Sequence, residues 1–218
     1  MTMALVLYYG SGSPYAWRVQ LALEAKGLPC ERRLLSFSAG DTRKPEFVAL
    51  NPRHRVPTIV DGDFVLYEAN AIVEYLDEAY PSHGIRLFPG DARRRATVRR
   101  IVSEVDDYTT EATDKVIDEL LYAKPEARDE AKLGRARAAV AEEFAFLARY
   151  LEQDFLAGPL SAADFALYPQ VAYMDRCHQR VPSFDAALLL PPALAAWKRR
   201  IESLPYLDAT IPPHWRAA

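Results

Sequence analysis

The segment Val56-Pro57-Thr58-Ile59-Val60-Asp61-Gly62-Asp63-Phe64-Val65-Leu66-Tyr67-Glu68-Ala69 restricts this chain to few folds. Thr58-Ile59-Val60 and Phe64-Val65-Leu66-Tyr67 are short β-prone runs, and Asp61-Gly62 between them reads as a tight hairpin turn with positive φ. Pro57 opens the first run. It has no N–H to give to a ladder, so it belongs at a strand start or an edge. The proline ring keeps Val56 extended, with its backbone left to pair outside the sheet. Beyond Tyr67 the apolar spacing changes. Ala69, Ile72, Val73, Leu76 and Tyr80 recur every three or four residues, an amphipathic helix stopped by Pro81. Glu68 and Ala69 thus open a helix, where free N–H groups attract a carboxylate. An extended backbone beside a helix N-terminus suits a small peptide-like ligand.

The preceding residues supply the rest of a small sheet. Leu5-Val6-Leu7-Tyr8-Tyr9 is a short apolar strand closed by Gly10. A helix follows from about Pro14 to Lys26, stopped by Gly27 with Pro29 beyond. Arg32-Leu35 is a weaker strand, and one helical turn is expected around Glu46–Leu50. The order is βαβ followed by ββα, which implies a parallel pair with a crossover helix. A segment rich in Pro, Gly, Ser and His follows Tyr80, and after it the strand signals vanish. Val98, Ile101, Val102, Val105, Ala112, Val116 and Leu120 mark one long helix, and Leu133 to Leu151 a second. A third starts near Ser161 and a fourth at Pro191-Pro192. Ser161 and Asp164 have the spacing of a reciprocal N-terminal cap. The expected class is an α/β domain over residues 1–80, a linker over 81–91 and an all-helical domain over 92–218.

Bulk properties exclude several functions. A net charge of −3 gives no electrostatic footprint for nucleic acid. No apolar run approaches the roughly 20 residues of a membrane span. Met1-Thr2-Met3-Ala4 lacks the basic start of a signal peptide. Cys30 and Cys177 lie far apart without metal-like spacing, which fits a reducing, cytoplasmic compartment. His83, His178 and His214 share no spacing with acids or cysteines, so no metal is assigned. The basic cluster Arg93-Arg94-Arg95 and Arg99-Arg100 reads as a surface or subunit contact, with Glu104, Asp106 and Asp107 as partners on the same helix.

Ser13 admits two readings. Ser-Pro is a helix start, serine capping and proline at the first helical position. A hydroxyl at that place also faces a positive helix end, where a thiolate is stabilised. No cysteine stands there, so the thiolate must come from a ligand. Arg43, Lys44, His54 and Arg55 flank Asn51-Pro52 and are either solvated loop charges or the holders of an anionic ligand terminus.

At this point the residues resemble a family. Ser13-Pro14-Tyr15-Ala16-Trp17-Arg18-Val19, Asn51-Pro52 with Val56-Pro57, Glu68 opening a helix, Leu87-Phe88-Pro89 and Ser161-Ala162-Ala163-Asp164-Phe165 together are similar to a cytosolic glutathione transferase over the whole length. The resemblance implies a thioredoxin-like N-terminal domain, a helical C-terminal domain, a homodimer and glutathione as co-substrate, without a metal. It implies that Pro57 is cis, that the Val56 backbone pairs with the cysteinyl part of glutathione and that Glu68 meets its γ-glutamyl end. Arg43, Lys44 and Arg55 would meet the glycine carboxylate. The serine-type classes put Ser13 on the thiolate, with Ser11 as runner-up and Tyr8 or Tyr9 as the tyrosine-type alternative. A small hydrophobic electrophile would lie against Tyr15, Tyr108, Ala112 and Trp215, and conjugation would serve detoxification. The alternatives are disulfide reduction or isomerisation on the same site, or a binding protein that kept the fold and lost the chemistry. Ala69 departs from the family's serine and removes one hydrogen bond to the γ-glutamyl carboxylate.

Overall fold

The computed structural model describes residues 5–216; Met1–Ala4, where the signal-peptide reading falls, lies outside them. The chain divides into two compact units, Met1–Phe88 with Pro205–Ala218, and Pro89–Leu204.

The first unit is a four-stranded mixed sheet with helices. Its strands are β1 (Leu5–Gly10), β2 (Cys30–Leu35), β3 (Thr58–Asp61) and β4 (Phe64–Tyr67), in the order β2-β1-β3-β4. The expected crossover makes β1 and β2 parallel, while β1–β3 and β3–β4 are antiparallel. Helix α1 (Pro14–Ala25) connects β1 to β2, α2 (Pro45–Val48) precedes β3, and α3 (Ala69–Ala79) follows β4. Leu5, Leu7 and Ile59 of the sheet and Val19, Leu23, Ile72 and Leu76 of the packed pair α1 and α3 are buried. Helix α1 ends as its sequence requires. Gly27 takes φ +60°, its N–H donates to the Glu24 carbonyl, and the Leu28 N–H donates to the Leu23 carbonyl, which together satisfy the last carbonyls of the helix.

The hairpin differs by one residue from the sequence expectation. Asp61 is the last residue of β3 and pairs with Phe64, so the two loop residues are Gly62 and Asp63. Only Gly62 takes positive φ, +66°, the pattern of a turn with glycine first. A tertiary contact favours this register. The Asp61 carboxylate accepts from the hydroxyls of Tyr75, at 2.8 Å, and Tyr80, both on the α3 side.

Asp77 of α3 fixes the start of the expected linker. Its buried carboxylate accepts from the N–H groups of Leu87 (2.7 Å) and Phe88 (3.3 Å) and from Arg86, with Lys26 Nζ at 3.5 Å. Residues up to Phe88 therefore pack with the sheet. Burial alone would raise the Asp77 carboxyl, but Arg86, the Leu87 amide and Lys26 outweigh it and hold the group below its ordinary value. A depressed carboxyl contributes stability that is present above its unfolded value of 3.8 and lost as pH falls through the folded value. Asp77→Asn should therefore flatten the acid limb of the stability curve below that pH, by about 1 kcal/mol, in denaturant titrations run at a series of pH values. An unchanged limb would show that other carboxylates carry the acid dependence.

The second unit is helical apart from one short hairpin. The expected first long helix is a continuous rod: α4 (Ala92–Glu104), a π-helical turn (Val105–Thr109), α5 (Thr110–Ile117) and a second π-helical turn (Asp118–Tyr122). Then come α6 (Glu130–Leu147), the strands β5 (Leu151–Glu152) and β6 (Phe155–Leu156), α7 (Ala162–Arg180) and α8 (Pro192–Glu202). Val98, Ile101, Val140, Phe144, Phe165, Leu167 and Trp197 are buried in its core. A polar cross-link joins α5 to α7. Gln170 Nε2 donates to Thr110 Oγ1, and Thr113 Oγ1 donates to Gln170 Oε1, both at 2.8 Å. The expected reciprocal cap of Ser161 and Asp164 is formed. Within the basic cluster, Arg100 pairs with Glu104 at 3.6 Å and Arg94 reaches Glu152 at 3.8 Å. No helix among the described residues is long and apolar enough to cross a membrane.

The sequence reading runs the helical domain to residue 218, whereas the packing groups Pro205–Ala218 with the sheet. There the short helices α9 (Leu207–Thr210) and α10 (Pro213–Arg216) dock on α1. Trp17 Nε1 donates to Thr210 Oγ1 at 2.9 Å, and the Trp215 ring meets Trp17 edge-on at 5.3 Å. Arg32 Nη1 donates to the Ala209 carbonyl at 3.4 Å.

Candidate active site

Strand register alone gathers the candidate residues of the first unit. Tyr8 of β1 lies opposite Thr58 of β3, and Thr58 lies opposite Tyr67 of β4. The end of β1, the start of β3 and the end of β4 are therefore neighbours at one end of the sheet. Three loop segments emerge there: Ser11–Ser13, Val56-Pro57 and Glu68-Ala69. Antiparallel pairing brings together segments that lie 43 residues apart in sequence (Ser13 to Val56) and 11 apart (Pro57 to Glu68).

Each segment has a defined conformation. Ser13 is extended (φ −69°, ψ 118°) and caps α1, its Oγ accepting from the Ala16 N–H at 3.2 Å. The Ser13 N–H donates to the Gly10 carbonyl, closing a turn that needs φ +84° at Gly12. The Val56–Pro57 bond is cis. Glu68 holds φ +75° and ψ 115°, a rare conformation for a residue with a Cβ, and one that costs on the order of 1–3 kcal/mol. Such outliers persist where the surroundings impose them, here the turn from β4 into α3. The Glu68 side chain does not cap α3, and a helix N-terminus attracts an anion. Ala69 is buried at the first helical position. Arg18, itself buried, ties α1 to α3 by donating from Nη1 to Asn70 Oδ1 at 2.7 Å.

The cations stand on the segment before β3. Arg43 ends a 3₁₀ turn (Asp41–Arg43), Lys44 pairs with Asp41 at 2.7 Å, and Arg43 and Arg55 are exposed. The turn carrying Arg55 is built by buried Asn51. Its Nδ2 donates to the Arg55 carbonyl (2.8 Å) and to Thr58 Oγ1 (3.0 Å), and its Oδ1 accepts from the Arg53 N–H (2.9 Å).

The competing thiolate candidates are engaged differently. Ser11 Oγ shares a 2.5 Å hydrogen bond with His214 Nδ1, a partner that no local signal marks. The Tyr8 hydroxyl accepts from Arg33 Nη1 at 2.7 Å, and its ring packs on Phe47 of α2 at 5.8 Å. Of the expected acceptor-site residues, Tyr15 lies under the Arg18 guanidinium at 5.1 Å and Trp215 packs on Trp17. In the second unit Tyr108 is 60% exposed in the first π turn, whereas Ala112 of α5 is 5% exposed. Among the described residues, no three His, Cys, Asp or Glu side chains are grouped to hold a metal ion.

Residues 12–79 match the model of the glutathione S-transferase N-terminal domain, and residues 114–200 that of the C-terminal domain. The chain is 30% identical to glutathione S-transferase A of Pleuronectes platessa, over 99% of this chain and 94% of that one. It is 32% identical to a probable maleylacetoacetate isomerase of Vibrio cholerae, over 96% of each. A solved glutathione S-transferase from the Antarctic clam Laternula elliptica is 31% identical and superposes with a TM-score of 0.80, over 99% of this chain and 95% of that one. With full-length relatives at this identity and a model match in each half, the chain belongs to the glutathione S-transferase family of enzymes.

Proposed function

We propose that this protein conjugates the glutathione thiolate to a small hydrophobic electrophile, with Ser13 as the thiolate-stabilising residue. The observation that carries the reading is the meeting of Ser13, Val56 and Glu68-Ala69 at one end of the sheet, between the N-termini of α1 and α3. The N-terminus of α3, which the Glu68 side chain does not cap, suits the γ-glutamyl carboxylate, and the backbone of Val56 before the cis bond to Pro57 suits the peptide group of the cysteinyl residue. Arg43 and Arg55, with Lys44 beside them, suit the glycine carboxylate.

Ser13 can cap and catalyse at once. Its oxygen accepts from Ala16, and a serine hydroxyl still has one proton to donate. That donor, backed by the positive end of α1, favours the ionised form of a thiol over the neutral one. The thiol proton passes to solvent, the sulfur forms a bond to the electrophilic carbon, and the leaving group departs with the electron pair of its own bond. Ser11 is the weaker candidate because His214 already engages its hydroxyl. Cytoplasmic placement, a homodimer and a role in detoxification belong to this reading.

A second reading, cis–trans isomerisation, is favoured by the similarity to the Vibrio cholerae relative. The Ser13-Pro14-Tyr15 run counts against it, since the isomerase-like classes carry Ser-Ser-Cys there. Parallel assays with an aryl halide, a glutathione mixed disulfide and maleylacetoacetate decide between them. Conjugation should exceed the other two activities, and dominant isomerisation or reduction would replace the proposal.

Ala69 sets the expected affinity. A serine hydroxyl there would add a hydrogen bond to a charged carboxylate, so Ala69→Ser should tighten glutathione binding about tenfold by calorimetry. Unchanged affinity would place the γ-glutamyl carboxylate elsewhere.

A further inference from the structure

The contact between Ser11 and His214 spans 203 residues of sequence and is the point where the C-terminal segment touches the loop before α1. That segment is firmly held. Thr210 is buried and accepts from Trp17, and Trp215 abuts the Trp17 ring. His214 in turn stands edge-on to Trp215 at 6.1 Å. Gly10, Ser11, Gly12 and Ser13 form a turn that the hydrogen bond from the Ser13 N–H to the Gly10 carbonyl helps to close, with Gly12 at positive φ. Ser11 is two residues from Ser13, so fixing its hydroxyl removes freedom from the turn that aims the Ser13 hydroxyl.

We propose that His214 is a positioning residue. It holds Ser11 and thereby orders the Gly10–Ser13 turn at the N-terminus of α1. It touches neither ligand nor reacting atoms. Only the kinetic arm of the test rests on the transferase reading, and the exchange arm stands without it.

Amide hydrogen exchange on the ligand-free protein reads the turn directly. Loss of one hydrogen bond predicts about three- to tenfold faster exchange of the Ser13 amide in His214→Ala and equally in Ser11→Ala. The double variant should be no faster than either single one, because both remove the same bond. His214→Asn, whose amide reaches the place of Nδ1, should restore protection. In the kinetic arm the two alanine variants should lower kcat by a similar few-fold factor, with the KM for glutathione within about twofold, and His214→Asn should recover kcat. Unchanged exchange in His214→Ala, additive effects, or a kcat insensitive to His214 would overturn the proposal. So would a Ser11→Ala loss far larger than that of His214→Ala, since Ser11 would then act on the thiolate itself. If the wild-type protein neither binds nor turns over glutathione, the transferase reading fails and the exchange arm alone decides whether His214 orders the turn.

Discussion

Ser13→Ala is expected to lower the kcat of glutathione conjugation about a hundredfold, the scale found when one pre-aimed donor to a developing or stabilised anion is removed. The substitution removes two things. The hydroxyl proton no longer meets the thiolate, and the Ala16 N–H loses its cap, at about 1 kcal/mol of stability. Ser13→Gly separates them, because glycine is tolerated at a cap for only a few tenths of a kcal/mol yet has no hydroxyl. Both variants should lose the same catalysis while glutathione affinity stays within a few-fold, since the γ-glutamyl and glycine ends are held elsewhere. Turnover close to wild type in Ser13→Gly would move the thiolate role to Ser11 or to a tyrosine.

Asp164→Ala is expected to cost the protein about 3–4 kcal/mol of stability with the sheet unit's own contacts intact. The Asp164 carboxylate is fully buried and accepts from the N–H groups of Leu156 and Ser161, both at 2.9 Å. It also accepts from Trp197 Nε1 at 2.8 Å and from the Ser161 hydroxyl at 3.2 Å. One side chain thus pins the β5–β6 hairpin, the start of α7 and the middle of α8, and its removal leaves buried donors without acceptors. Burial pushes the carboxyl up to about 6, against the pull of those donors. The sign is opposite to that of Asp77. A raised carboxyl contributes most below its unfolded value of 3.8, and the contribution is lost as pH rises through about 6. The stability difference between wild type and Asp164→Ala should therefore shrink from pH 4 to pH 7 in denaturant titrations. A difference that grows over that window would mean that the four donors outweigh burial.

What was legible in the sequence was local or periodic. The Gly27 stop of α1, the Ser13 cap, the Ser161–Asp164 cap and the helix opening at Glu68 each need only a few consecutive residues, and each is formed as read. The hairpin turn slipped by one residue, because Tyr75 and Tyr80 select the register through Asp61 from a helix outside the hairpin. Asp77 had no visible task, since its partners at residues 86–88 become neighbours only when the chain folds back. The same holds for the C-terminal segment. Trp17 meets Thr210 and Ser11 meets His214 across about two hundred residues, and nothing in the spacing of either pair signals contact. The sequence around His214 carries no metal-ligand spacing and no other signal. The actual partner of this histidine is a serine of the turn before α1.

The measurement that bears most directly on the central claim is a pH titration of glutathione bound to the protein, followed by the ultraviolet absorbance of the thiolate. If α1 and Ser13 stabilise the anion, bound glutathione should titrate near pH 7, below the value of about 8.5 for an unperturbed thiol, and Ser13→Gly should return it toward that value. A bound thiol that titrates at its ordinary value in the wild-type protein would contradict the account.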